Sequence, residues 1–104
     1  MKTSQKLVRD NIPSLIEKDG KTAKTRILSK EETLIALKTK LLEETNEYLS
    51  SEESLEELAD IEEVVFALAL ESGHSLEELE QIRLEKRNRN GAFTKRIFLE
   101  SVSE

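Results

Sequence analysis

The sequence predicts an all-α fold: a helical bundle of three main helices plus a short N-terminal helix, completed by oligomerisation. Three observations carry this. A helix-start signal occurs three times, as Ser29-Lys30-Glu31-Glu32, Ser54-Leu55-Glu56-Glu57 and Ser75-Leu76-Glu77-Glu78. In each, a serine can cap the first turn while the glutamate three residues on reaches back to the serine N–H. The residues that follow carry apolar side chains at helical spacing. Gly73 and Gly91 stand after the second and third runs, where helices commonly end on a left-handed residue.

These signals place helices over about residues 30–50, 54–72 and 75–90. Ahead of them, Asn11-Ile12-Pro13 reads as the start of a short helix that ends near Asp19-Gly20. Residues 21–28 form a polar connector. After Gly91, Phe93 to Leu99 reads as a short extended segment or a docked tail.

In the first long helix, Leu34, Leu37, Leu41 and Tyr48 make one apolar stripe, broadened by Ile35 and Leu42. At about 100° per residue, Glu44 lies at the edge of that stripe with Glu47 beside it, whereas Glu43 projects away. The second long helix differs, because Val64 to Leu70 is apolar on every side and asks for burial all round. A domain of 104 residues can hardly enclose a helix so fully, and a partner subunit is expected to cover part of it.

Composition narrows the function. The whole chain, residues 1–104, reads as one domain. It carries 16 basic and 22 acidic residues, a net charge of −6, which argues against general affinity for nucleic acid. Having no cysteine, it forms neither disulfides nor thiolate metal sites. No apolar leader is visible at the N-terminus, and the run from Val64 to Leu70 is too short to cross a bilayer, so a cytoplasmic protein without membrane partners is expected.

The chemistry concentrates in two acidic motifs on consecutive helices, Glu43-Glu44-Thr45-Asn46-Glu47 and Glu57-Leu58-Ala59-Asp60. Residues three apart share a helix face, so each motif projects a carboxylate pair in one direction. If the two helices form a hairpin, four carboxylates converge. Left alone they repel; around a hard divalent cation they form an oxygen cage of the kind Mg²⁺ takes. Acidic pairs are common where 37% of residues are charged, and Glu57 has a competing role as capping partner of Ser54. Asp60 is harder to dismiss, since aspartate is a poor helix former and stands just ahead of the apolar run. The Ser-Leu-Glu-Glu-Leu string recurs at 54–58 and 75–79, and only the first copy continues into the acidic pair.

Across nearly its whole length the chain resembles the MazG-like members of the all-α NTP pyrophosphatase superfamily, which also includes phosphoribosyl-ATP pyrophosphohydrolases and dimeric dUTPases. The resemblance is carried by Lys6-Leu7-Val8-Arg9-Asp10-Asn11-Ile12-Pro13, by the acidic motifs at 43–47 and 57–60 with Ile61, and by the stretch from Lys86 to Leu99 with Gly91-Ala92-Phe93. It implies Mg²⁺-dependent cleavage of a nucleoside triphosphate between the α and β phosphates, giving a monophosphate and pyrophosphate, with Mn²⁺ as the substitute ion. By the family pattern the metal falls on Glu44, Glu47, Glu57 and Asp60, with Glu43 behind them or orienting water. The assembly implied is a homodimer or homotetramer. Phosphoribosyl-ATP hydrolysis is the alternative within the class, although members with that activity usually lack the N-terminal Lys-x-x-Arg-Asp-x-Ile-Pro segment. A non-catalytic helical module that binds a basic partner is the alternative outside it.

Phosphates also need cations from the protein. Lys6, Arg9, Lys86, Arg89 and Asn90 are the candidate contacts, with Arg87, Lys95 and Arg96 nearby. Lys86 to Arg89 equally suit a helix C-terminus as dipole partners, and Asn90 equally suits a cap beside Gly91. His74 reads as a surface turn residue without a catalytic role, and Tyr48 as either core or a base-stacking ring.

Overall fold

The computed structural model describes residues 5–104. Four helices follow one another: α1 (Ile12–Lys18), α2 (Lys30–Leu49), α3 (Leu55–Glu71) and α4 (Leu76–Asn90), with no strand among the described residues. The helix bounds lie within one residue of those read from the capping signals. Each serine cap is in place, its hydroxyl accepting the backbone N–H of Glu32, Glu57 or Glu78.

The two copies of the Ser-Leu-Glu-Glu-Leu string use their glutamates differently. Glu78 completes its box, its carboxylate accepting the Ser75 N–H at 3.0 Å, and Glu32 does the same for Ser29. Glu57 does not. The Ser54 N–H instead donates to the Ser51 hydroxyl at 3.2 Å, which frees the Glu57 carboxylate for another use. The helix ends follow the sequence as well: Gly73 has φ 89°, His74 N–H reaches the Ala69 carbonyl and Gly73 N–H reaches that of Leu70, a Schellman closure.

Helices α2 and α3 form an antiparallel hairpin through the connector at 50–54, and this is the extensive helix–helix contact of the chain. The α3–α4 contact is sparse, and α4 does not meet α2. Leu37 of α2 is 6% exposed and is the one buried apolar residue among those described. Leu34, Leu41 and Tyr48 are half-buried beside it. Ile35 and Leu42, expected to broaden the stripe, face out instead, because α2 has only one helix against it. On α3, Val64 to Ala69 are half-buried and Leu70 is exposed, so one chain supplies burial on one side only.

The tail from Ala92 onward has no strand, turns at residues 93–96 and is exposed along its length rather than docked. The chain spans 63 × 33 × 23 Å with a radius of gyration of 18.3 Å, against about 13 Å for a compact domain of this length. Among the described residues, no helix is long and apolar enough to cross a membrane.

Ser29→Ala and Ser75→Ala each remove a complete capping box, costing about 1 kcal/mol, or about 4–8 °C in Tm for a domain of this size. Thermal melts followed by circular dichroism check this.

Candidate functional site

The α2–α3 hairpin sets the last two turns of α2 against the first two of α3, and the acidic motifs meet there. One carboxylate oxygen each from Glu44, Glu57 and Asp60 lie within 4.8 Å of one another, all three residues being half-buried. The Glu44 side chain is 13% exposed, as its place at the edge of the apolar stripe requires. Glu57 is present because its carboxylate is not spent on the cap. Glu47 is more exposed but faces both Glu44 and Glu57, close enough to raise the pKa of each.

The electrostatics are those of an anion cluster short of cations. Burial pushes the Glu44 carboxyl above its ordinary value, and the neighbouring Glu47 and Asp60 charges push it the same way against a smaller opposing pull from Lys40. Glu57 is raised by burial and by the charges of Glu47 and Asp60. Oε2 of Glu44 and Oε2 of Glu57 are buried with no hydrogen-bond donor. Buried carboxylate oxygens are normally satisfied, so two orphans in one cluster call for a positive ligand. An all-oxygen set of this kind suits Mg²⁺ or Mn²⁺, which take carboxylates together with water.

Two side chains supply partial compensation. Arg9, from the segment before α1, donates from Nη2 to Asp60 Oδ1 at 2.7 Å, a pair spanning 51 residues. The Arg9 side chain is 57% exposed, so the pair contributes little to stability. Lys40 Nζ lies 3.4 Å from Glu43 and 3.9 Å from Glu44, one turn earlier on α2. Glu43 therefore faces Lys40 and stays out of the cluster, as the helix geometry suggests. The role of Lys40 escaped the sequence reading; its position three and four residues before Glu43 and Glu44 was the available signal.

Among the described residues, no side-chain hydrogen bond or ion pair joins the remaining candidates to the cluster. Lys6 is exposed, and Lys86, Arg89 and Asn90 are exposed on α4, which does not meet α2. His74 Nδ1 lies 3.4 Å from Glu78 and belongs to the α4 cap region. Two concave surfaces are lined by other residues, one beside α1 at Ile12, Leu15 and Ile16, the other inside the curl of residues 90–98. The acidic cluster sits on the seam between α2 and α3.

A carboxyl whose folded pKa is raised favours folding while protonated. Its contribution is complete below the ordinary value near 4.5 and is lost as pH rises through the folded value. In EDTA, Glu44→Gln should therefore melt above the wild type at neutral pH, and the gap should close as pH falls toward 4.5. Calorimetry across that range checks it, and a Gln variant less stable at pH 7 would contradict it. No protein-family model, no curated protein and no solved structure matches this chain.

Proposed function

We propose that the chain is a Mg²⁺-dependent nucleoside triphosphate pyrophosphohydrolase of the MazG-like kind, cleaving between the α and β phosphates to release a nucleoside monophosphate and pyrophosphate. The observation that carries this reading is the convergence of Glu44, Glu57 and Asp60 across the hairpin with two buried oxygens left without donors. Glu47, facing two of the three, is the fourth carboxylate of the set.

In this reading Glu44, Glu47, Glu57 and Asp60 hold the ion. When bound, Mg²⁺ offsets phosphate charge and lowers the pKa of the attacking water. A carboxylate oxygen not committed to metal accepts the proton of that water, and the raised pKa of Glu44 and Glu57 suits such a role. Arg9 is half-free in solvent and exchanges Asp60 for a substrate phosphate, a planar bidentate donor for an anionic group. Lys6, Lys86, Arg89 and Asn90 are further phosphate contacts once a second chain or a substrate brings them near. The cytoplasm, where nucleoside triphosphates are made and used, is the compartment that this reaction calls for.

A second copy of the chain belongs to the same reading, as a homodimer or a dimer of dimers formed through α3. The surface of the single chain is 9800 Å², against about 6,000 Å² for a compact protein of this mass. That excess is on the scale that obligate subunits bury between them. Light scattering at micromolar concentration should give a mass of at least two chains; a monomer would remove this part of the proposal.

Pyrophosphate release from a panel of ribo-, deoxyribo- and modified nucleoside triphosphates, with Mg²⁺ and with EDTA, tests the reaction. Turnover should require the metal, and Glu47→Ala or Asp60→Ala should lower it at least a hundredfold with helix content unchanged. Substantial activity in both variants would overturn the assignment. Release only from phosphoribosyl-ATP would move the chain within its class, and no metal-dependent thermal shift would favour a binding module.

A further inference from the structure

The end of the chain is the least compensated part of the molecule. Beyond Gly91, Phe93 is 98% exposed, Ile97 82%, Phe98 86% and Val102 80%, so large apolar side chains crowd a ten-residue segment with nothing against them. The segment is shaped: the Arg96 N–H reaches the Phe93 carbonyl at 3.3 Å and Arg96 has φ 57°, making a turn between the two apolar groups. Monomeric proteins rarely expose apolar surface in this way, and such a patch marks a docking element.

Its own chain offers it no seat. The segment issues from the far end of α4, a helix of 15 residues that touches α3 sparsely and does not meet α2. The surface that would suit it is at the other end of the hairpin. Residues 43–63 hold ten acidic side chains and no basic one, and among them Leu49, Leu55 and Leu58 are 72%, 80% and 42% exposed. The segment from 92 to 102 carries Lys95 and Arg96 against one acidic residue, Glu100, and residues 83–90 of α4, which lead into it, add four basic residues against one acidic. One surface is apolar and acidic, the other apolar with a basic approach, and the single chain leaves the apolar side chains of both exposed.

We propose that residues 92–102 form an exchanged arm, which clasps the acidic end of the α2–α3 hairpin of a second copy of this chain. Phe93, Ile97 and Phe98 cover the second copy's exposed leucines, while Lys95 and Arg96 lie against its glutamates. Under a two-fold axis each chain gives one arm and receives one, which closes the contact and doubles the buried area. Aromatic side chains in the centre with charge pairs at the rim are the usual anatomy of such an interface. Because the opposed charges are exposed, association through the arm weakens with salt. The arm rests on the two-copy reading above and is independent of any catalytic activity.

The test places benzoyl-phenylalanine at Phe98 in the full chain and irradiates a mixture of tagged and untagged protein without nucleotide. The expected product is an adduct between two chains whose cross-linked peptide falls within 42–63. Alongside it, Phe93→Ser with Phe98→Ser, and separately Lys95→Glu with Arg96→Glu, should each raise the dimer dissociation constant at least tenfold while helix content by circular dichroism is kept. An adduct confined to one chain, one outside 42–63, or none from protein that light scattering shows to be dimeric overturns the arm and leaves the dimer standing. A wild-type monomer overturns both, and pyrophosphate release is read separately from either.

Discussion

The contact between α2 and α3 is what the rest of the molecule depends on. It buries Leu37, it brings the two acidic motifs within reach of each other, and it is the extensive helix–helix contact that the chain makes with itself. It also works against itself, since the same packing that hides the apolar stripe forces Glu44, Glu57 and Asp60 together. Hydrophobic burial of a modest stripe is set against like-charge repulsion in a place where burial strengthens that repulsion. Arg9 and Lys40 relieve part of it from the outside, and the two orphaned oxygens on the inside are the part left over. A divalent cation at the seam would turn the opposition into a bond between the helices.

That balance explains why Glu57 behaves unlike Glu32 and Glu78. All three stand at the third helical position after a serine, and two of them close the cap. Closing the box lowers the carboxyl pKa of Glu32 and Glu78, each through the N–H it accepts. Glu57 forgoes that bond and has a raised pKa instead. Ser51 takes over the Ser54 N–H, so the helix start is satisfied without it. A residue that leaves a favourable local role for an unfavourable electrostatic one marks a place where tertiary packing overrides local consistency.

The same economy shows at the scale of the whole chain. A hairpin with a diverging third helix covers each apolar stripe on one side, and Val64 to Ala69 on α3 remain half-buried. The exposed leucines near the hairpin connector and the exposed aromatic tail are one phenomenon seen in two places. Both are surfaces that one chain of this length has no means to cover.

How much of this was legible in the sequence follows from the range of the forces involved. Helix starts and ends are local: a serine and a glutamate three residues apart, or a glycine needing positive φ at 73, determine them without reference to the rest of the chain. The faces of Glu44 and Glu43 were likewise fixed by helical periodicity alone. The approach of α3 to α2 was only conditional in the sequence, since two amphipathic faces state that they need cover and not which cover they find. The tertiary structure decided that Glu57 would leave its cap, that Arg9 would meet Asp60 across 51 residues, and that Ile35 and Leu42 would stay outside. Each depends on long-range packing, where the contact that forms is chosen by the surfaces available in three dimensions rather than by neighbours along the chain.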